Sequence, residues 1–203
     1  MRSNMMILVR EELESLLFDI AVESAKKAVE GISRDDIKKM QNEMRHSLIA
    51  IVMCHLSLEA LINSIGMLYY GNQPNLEKQK EWKNIEGLEF VKKWKHLAMI
   101  AHQEKTKTKQ KKTLCRETTQ LLKELAELRN SIVHYKAFPV NKSRLRRTSK
   151  NNVVSPELEK YTSEEAKKAI KTVIEVIEAF NDLAGKEYGE WRNTILEKHS
   201  MKV

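Results

Sequence analysis

The sequence predicts an all-α fold, in which about four core helices form a bundle with short accessory helices around it. Only three prolines and six glycines occur among 203 residues, so residues that break helices are scarce. Strong helix formers such as Leu, Ala, Glu and Lys dominate the remainder. The length suits a single domain with a sizeable core, and almost no β-strand is expected.

The first two helices are predicted from the spacing of apolar residues and from signals at the helix ends. Residues 5–30 carry apolar side chains at helical spacing, and Gly31 follows as a stop signal. Ser33 and Asp36 stand three residues apart in a capping arrangement. This arrangement predicts a long second helix that runs to Tyr70.

The middle of the chain predicts three further helices. Residues 75–103 are expected to form one short and one longer helix, followed by a basic linker at 105–112. The next helix ends before Pro139. Its regular apolar stripe consists of Leu121, Leu125, Leu128 and Ile132.

The last third predicts a loop and two helices. The stretch at about 139–156 is basic and is expected to be an exposed, mobile loop. Thr162 and Glu165 form a second capping box, which predicts a helix that ends at Gly185. A short terminal helix around Trp191 is expected to pack on the bundle.

The formal net charge of +8 and the sequence pI near 9.3 suggest an acidic partner, of which nucleic acid is the commonest. The alternative is a surplus of solvated surface lysine. Few aromatic residues interleave with the basic clusters, so no stacking platform for single-stranded bases is indicated. The candidate phosphate-binding residues are Lys109, Lys111, Lys112, Lys136, Lys142, Arg144, Arg146 and Arg147.

Cysteine usage and the N-terminus indicate a cytoplasmic protein. Cys54 and Cys115 are isolated and lack the spacing of metal ligands, which fits a reducing compartment. The apolar run from Met5 to Val9 is too short for a secretory signal.

Residues 47–70 form the longest apolar stretch, and this length could span a bilayer. His55, Glu59 and Asn63 recur there every fourth residue and therefore form one polar stripe. A glutamate at mid-membrane is costly. The stretch is therefore predicted to be a core helix with a polar seam, with a membrane helix as the alternative.

Arg129 and His134 lie five positions apart near the end of the striped helix and suit acid/base chemistry on a phosphate. A histidine titrates near neutral pH, and an arginine offers a planar fork of donors to the charge that develops on phosphorus. Asn130 is placed to position a phosphate oxygen or the imidazole. The alternative is that the two cations complement the negative end of the helix.

The run Arg129-Asn130-Ser131-Ile132-Val133-His134, late in a helix of an all-helical chain, resembles the motif of the HEPN superfamily of helical domains. The stretch Leu58-Glu59-Ala60 resembles the Leu-Glu-Ala segment often seen in the second helix of these domains. Together the two motifs cover about residues 35–183 of a single HEPN-like domain spanning 1–203.

The resemblance implies a four- to five-helix bundle, commonly a homodimer, whose facing Arg-x4-His motifs form a ribonuclease site that needs neither metal nor cofactor. Many members act in toxin–antitoxin, abortive-infection or other antiviral systems, and others are non-catalytic binding modules. The implied catalytic residues are Arg129 and His134, with Asn130 in support. Glu59 is a further candidate, with a structural ion pair to Arg129 or His55 as its alternative.

Two features of this chain bear on that expectation. Positions five apart on a straight helix point roughly 140° away from each other, so a two-fold dimer that pairs Arg129 of one subunit with His134 of the other is favoured over a distorted last turn. In some toxins of the family, a partner nucleotidyltransferase modifies a tyrosine two residues after the histidine. Lys136 occupies that position here, and the tyrosine is Tyr135.

Overall fold

A computed structural model confirms the all-α class. It describes residues 2–30, 36–71, 76–134, 146–147, 153–154 and 160–200. The helices are α1 (Arg2–Val29), α2 (Ile37–Gly66), α3 (Leu76–Glu86), α4 (Phe90–Thr106), α5 (Arg116–Val133), α6 (Ser163–Ala184) and α7 (Trp191–Lys198). A π-helical turn, Met67–Gly71, extends α2. Within the basic stretch, strands β1 (Arg146–Arg147) and β2 (Val153–Val154) pair antiparallel.

The helix ends follow the predicted capping chemistry with one correction. Asp36, and not Ser33, is the N-cap of α2, because its carboxylate accepts the amides of Lys38 and Lys39 at 2.9 and 3.4 Å. Ser33 lies outside the described residues. At α6, the Thr162 hydroxyl accepts the Glu165 amide at 3.4 Å, as predicted.

The core lies around α2, which packs against α1, α4, α5 and α6. Trp94 of α4 and Phe180 of α6 meet edge to face, with ring centroids 5.5 Å apart. Burial of such side chains contributes roughly 1.5–3 kcal/mol each. Other fully buried core residues are Phe18, Ile51, Leu58, Ile62, Leu97, Leu122 and Ile170.

The segment Ile37–Tyr70 is long and apolar enough to cross a membrane, judged by length and composition alone. Half of its most apolar 18-residue window is buried inside the bundle. The same helix buries His55 and Ser57 against other parts of the protein. This packing matches the prediction of a core helix with a polar seam.

The short helix α7 is attached to α1 through Asp19. The carboxylate accepts from Lys198 Nζ at 2.9 Å and from His199 Nε2 at 2.5 Å, while Trp191 packs edge-on against Phe18. Partial burial alone would raise the pKa of Asp19, but the hydrogen bonds from His199 and Lys198 outweigh it and hold that pKa below its ordinary value of 3.8. The carboxylate therefore stabilises the folded chain when ionised.

We expect Asp19→Asn to lower the free energy of unfolding by about 1 kcal/mol at neutral pH, measured by urea denaturation. Because the folded pKa is depressed, this contribution is present above the unfolded value of 3.8 and is lost as pH falls through the folded value. The free energies of unfolding of the variant and the wild type should therefore converge in acid. Asp182→Asn, whose carboxylate has no ion pair among the described residues, is the control. Equal urea midpoints for Asp19→Asn and Asp182→Asn at neutral pH would contradict this role.

Candidate functional site

The candidate site lies at the C-terminal end of α5. Arg129 is half-buried in the last turns of the helix, and its Nη1 donates to Asn130 Oδ1 at 3.1 Å. His134 directly follows the helix and is exposed. Its amide still donates to Asn130 O at 2.9 Å, so the helical turn continues to it. Val133 is the last residue of α5 and His134 is its C-cap. Pro139, before which the helix was predicted to end, lies outside the described residues.

The charge of Arg129 is not neutralised within the described part of the chain. No carboxylate there forms an ion pair with Arg129, and its Nε is buried without a hydrogen-bond partner. A buried donor that lacks a partner is costly, on the order of 1–3 kcal/mol. The hydrogen bond to Asn130 holds the guanidinium in place, and the group retains donors for an anionic ligand.

His55 of α2 lies behind Arg129 and is a buried, neutral ring. Only 5% of its surface is exposed, and its ring packs on Phe90 with centroids 4.3 Å apart. Burial, together with the nearby Arg129 charge, lowers the pKa of His55 from 6.5 to about 4. Its Nδ1 has no hydrogen-bond partner among the described residues. At neutral pH it does not compete with Arg129 for an anion.

The polar seam of α2 continues from His55 to a buried lysine of α4. Lys93 is 4% exposed, and its Nζ donates to Asn63 Oδ1 at 2.8 Å. Burial lowers the pKa of Lys93, and the carboxylates of Glu59 and Glu86 oppose that shift. Lys93 has no counterpart in the sequence prediction, although its place beside Trp94, within the apolar face of α4, was a usable signal.

Glu59 lies near His55 and Lys93 in this seam and does not bridge to the predicted catalytic pair. Its Oε2 is 3.7 Å from His55 Nδ1, and its charge favours the protonated form of Lys93. Among the described residues, no hydrogen bond or ion pair joins Glu59 to Arg129 or His134. The expected ion pair to Arg129 is therefore not seen among the described residues, and the catalytic role of Glu59 stays a prediction.

The predicted phosphate-binding lysines lie at the far end of α5. Lys109, Lys111 and Lys112 are exposed in the segment that precedes the helix. Thirteen residues separate Arg116 from Arg129, a distance of ~20 Å along the axis at 1.5 Å per residue. An RNA strand bound both by these lysines and by Arg129 would have to run along the length of α5. The side chains of Arg146 and Arg147 are not described, and Lys136, Lys142 and Arg144 lie outside the described residues, as does Tyr135.

Among the described side chains, no three His, Cys, Asp or Glu residues are grouped as a metal site. Comparisons of the chain with protein-family models, with curated proteins and with solved structures give no match. Function is therefore inferred from the residues of the chain and their arrangement.

Proposed function

We propose that this chain is a metal-independent endoribonuclease of the HEPN type, with Arg129 and His134 as catalytic residues. The observation that supports it is the open end of α5. There an arginine oriented by Asn130 has no carboxylate partner within the described residues, and an exposed histidine follows five residues later, directly after the helix. Burial of both residues in ordinary salt bridges would have favoured a non-catalytic module.

The reaction uses the 2′-hydroxyl of RNA as its nucleophile. The 2′-oxygen attacks the adjacent phosphorus, the bond from phosphorus to the 5′-oxygen breaks, and a 2′,3′-cyclic phosphate remains. His134 takes the proton from the 2′-hydroxyl or supplies one to the departing 5′-oxygen. Arg129 donates to the phosphorane oxygens, and the amide nitrogen of Asn130 is available for the same phosphate.

The two catalytic side chains leave α5 in different directions. Arg129 is half-buried and its charge acts on His55 of α2, whereas His134 is exposed beyond the last turn. A two-fold homodimer that places α5 of one subunit against α5 of the other joins Arg129 of one copy to His134 of its partner. We therefore place the complete site at a dimer interface.

The same proposal assigns a cellular role. An endoribonuclease without a cofactor suits a toxin or an antiviral, abortive-infection component that acts on RNA in the cytoplasm. Such a protein needs a neutralising partner, and an antitoxin of the nucleotidyltransferase type is one candidate. The basic charge of the chain is consistent with RNA as the target.

The purified chain should cleave RNA in the presence of excess EDTA and leave a 2′,3′-cyclic phosphate. End-group analysis of the products by mass spectrometry detects this terminus directly. A 3′-hydroxyl product, or cleavage that EDTA abolishes, would exclude the mechanism. Salt-sensitive RNA binding without cleavage would instead establish the non-catalytic binding module.

A further inference from the structure

A groove of about 380 Å³ lies between α5 and α6. Its floor is apolar and consists of Leu125, Leu128 and Ala169. Two acidic residues, Glu127 and Glu165, also line the groove. The volume lies at the lower end of the range for small-molecule sites, ~300–1,000 Å³.

The mouth of the groove is a hydrogen-bonded cluster of Ser131, Lys160 and Tyr161. The Ser131 hydroxyl donates its single proton to Leu128 O at 2.7 Å. Lys160 Nζ at 3.2 Å and Tyr161 OH at 3.1 Å must therefore both donate to Ser131 Oγ. Lys160 is exposed and forms no ion pair among the described residues, so two of its three donors remain available.

This mouth adjoins His134. The helical turn of α5 continues through the His134 amide, and residues three apart on a helix are neighbours, with Cβ atoms about 5–6 Å apart. Ser131 precedes His134 by three residues. Lys160 therefore supplies a cation on the His134 side of the helix, where Arg129 of the same subunit does not point.

The groove is lined by charges of both signs. Lys160 stands at the mouth, Glu127 and Glu165 also line the groove, and Glu124 and Lys168 form an ion pair along it, with Nζ 2.8 Å from Oε2. Seven residues of α5 separate Ser131 from Glu124, a length of ~10 Å. The mouth suits a phosphate, while the interior repels anions and accepts hydrogen bonds from amino groups over an apolar floor.

We propose that this groove binds the nucleoside next to the scissile phosphate and determines base preference, with Lys160 holding the phosphate at the mouth. The site rests on the proposed ribonuclease function and extends it to substrate selection. Carboxylate acceptors favour bases that carry an amino group, such as cytosine through its N4, over uracil, which presents O4 at that position.

Binding of 3′-CMP and 3′-UMP to the purified full chain tests the site without any need for cleavage. These two nucleotides match in size and charge. We expect 3′-CMP to bind about tenfold more tightly and to shift the NMR resonances of Leu128 and Ala169. Lys160→Gln should weaken both nucleotides by about tenfold, because a charge-assisted hydrogen bond is lost. Lys171→Gln, at an exposed lysine of α6 that lies outside the groove, should change neither.

The carboxylates are tested by the double variant Glu127→Gln and Glu165→Gln, which should narrow the difference between 3′-CMP and 3′-UMP. The groove assignment is overturned if 3′-CMP leaves Leu128 and Ala169 unshifted, or if Lys160→Gln binds like Lys171→Gln. If either result is obtained with a chain that still cleaves RNA, the groove assignment is rejected and the ribonuclease proposal is kept. If nucleotides bind in the groove but the chain never cleaves RNA, the groove assignment is kept and the ribonuclease proposal is rejected.

Discussion

Alanine at His134 is expected to lower the rate of RNA cleavage by ~10²–10⁴-fold, and alanine at Arg129 by ~10²–10³-fold. The first change removes the only group proposed to move protons. The second removes the donors to the charge that develops on phosphorus. Single-turnover cleavage of a labelled RNA measures the chemical step for both variants.

Two matched controls separate catalysis from charge and folding. His102→Ala removes a half-buried histidine near the C-terminal end of α4, and Arg116→Ala removes an exposed arginine in the first turn of α5. Both should cleave at nearly the wild-type rate. Full cleavage by Arg129→Ala and His134→Ala proteins would show that the pair is not catalytic.

Mixing the two inactive variants tests whether the site is shared between subunits. If Arg129 of one copy acts with His134 of the other, each heterodimer contains one intact site, and random exchange restores about a quarter of the wild-type activity. If both residues act within one subunit, mixing restores nothing. Recovery should require subunit exchange and fail with Arg129→Ala protein alone.

The second large effect is acid sensitivity caused by His55. The unfolded chain binds a proton on this ring near pH 6.5, whereas the folded chain binds it only near pH 4. The unfolded state therefore takes up more protons between these values, and stability falls as pH falls through that window. The loss amounts to roughly 2 kcal/mol between pH 7 and pH 5 and to roughly 3 kcal/mol at pH 4.

Replacing His55 by phenylalanine should remove this pH dependence. The free energy of unfolding of the His55→Phe protein, measured by urea denaturation, should fall by roughly 2 kcal/mol less than that of the wild type between pH 7 and pH 5. Comparing each protein with itself cancels any packing change against Phe90. His102→Ala should keep the wild-type slope, and an unchanged slope in His55→Phe would show that His55 is not the buried titrating group.

Local signals predicted most of the fold. The Thr162 hydroxyl and Gly185 delimit α6 as expected, because capping and left-handed backbone conformations depend on neighbouring residues alone. The apolar stripe of α5 was predicted in part: Leu125 is buried and Leu128 and Ile132 pack against the core, whereas the fully buried Leu122 lies outside the stripe. The N-cap of α2 moved from Ser33 to Asp36, since either residue type can accept the first free amides and the spacing does not choose between them.

Local signals predicted less of the site. The stripe of His55, Glu59 and Asn63 was visible as a four-residue repeat, yet the sequence could not show that Lys93 donates to Asn63 or that Arg129 lies by His55. These contacts join α2 to α4 and to α5. The residues that they bring together are dozens of positions apart in the sequence. Periodicity identifies the face of a helix and not the partner of that face.

By itself, the sequence determined the helical class, the order and approximate ends of the helices, and the presence of Arg129, Asn130 and His134 at the end of α5. These properties depend on propensity, spacing and capping within a few residues. Only the tertiary structure decided that Arg129 lacks a carboxylate partner within the described chain, that His55 is a neutral ring, and that Lys160 reaches Ser131 beside His134. Burial and charge pairing arise when distant helices pack, so no single segment of the sequence contains them.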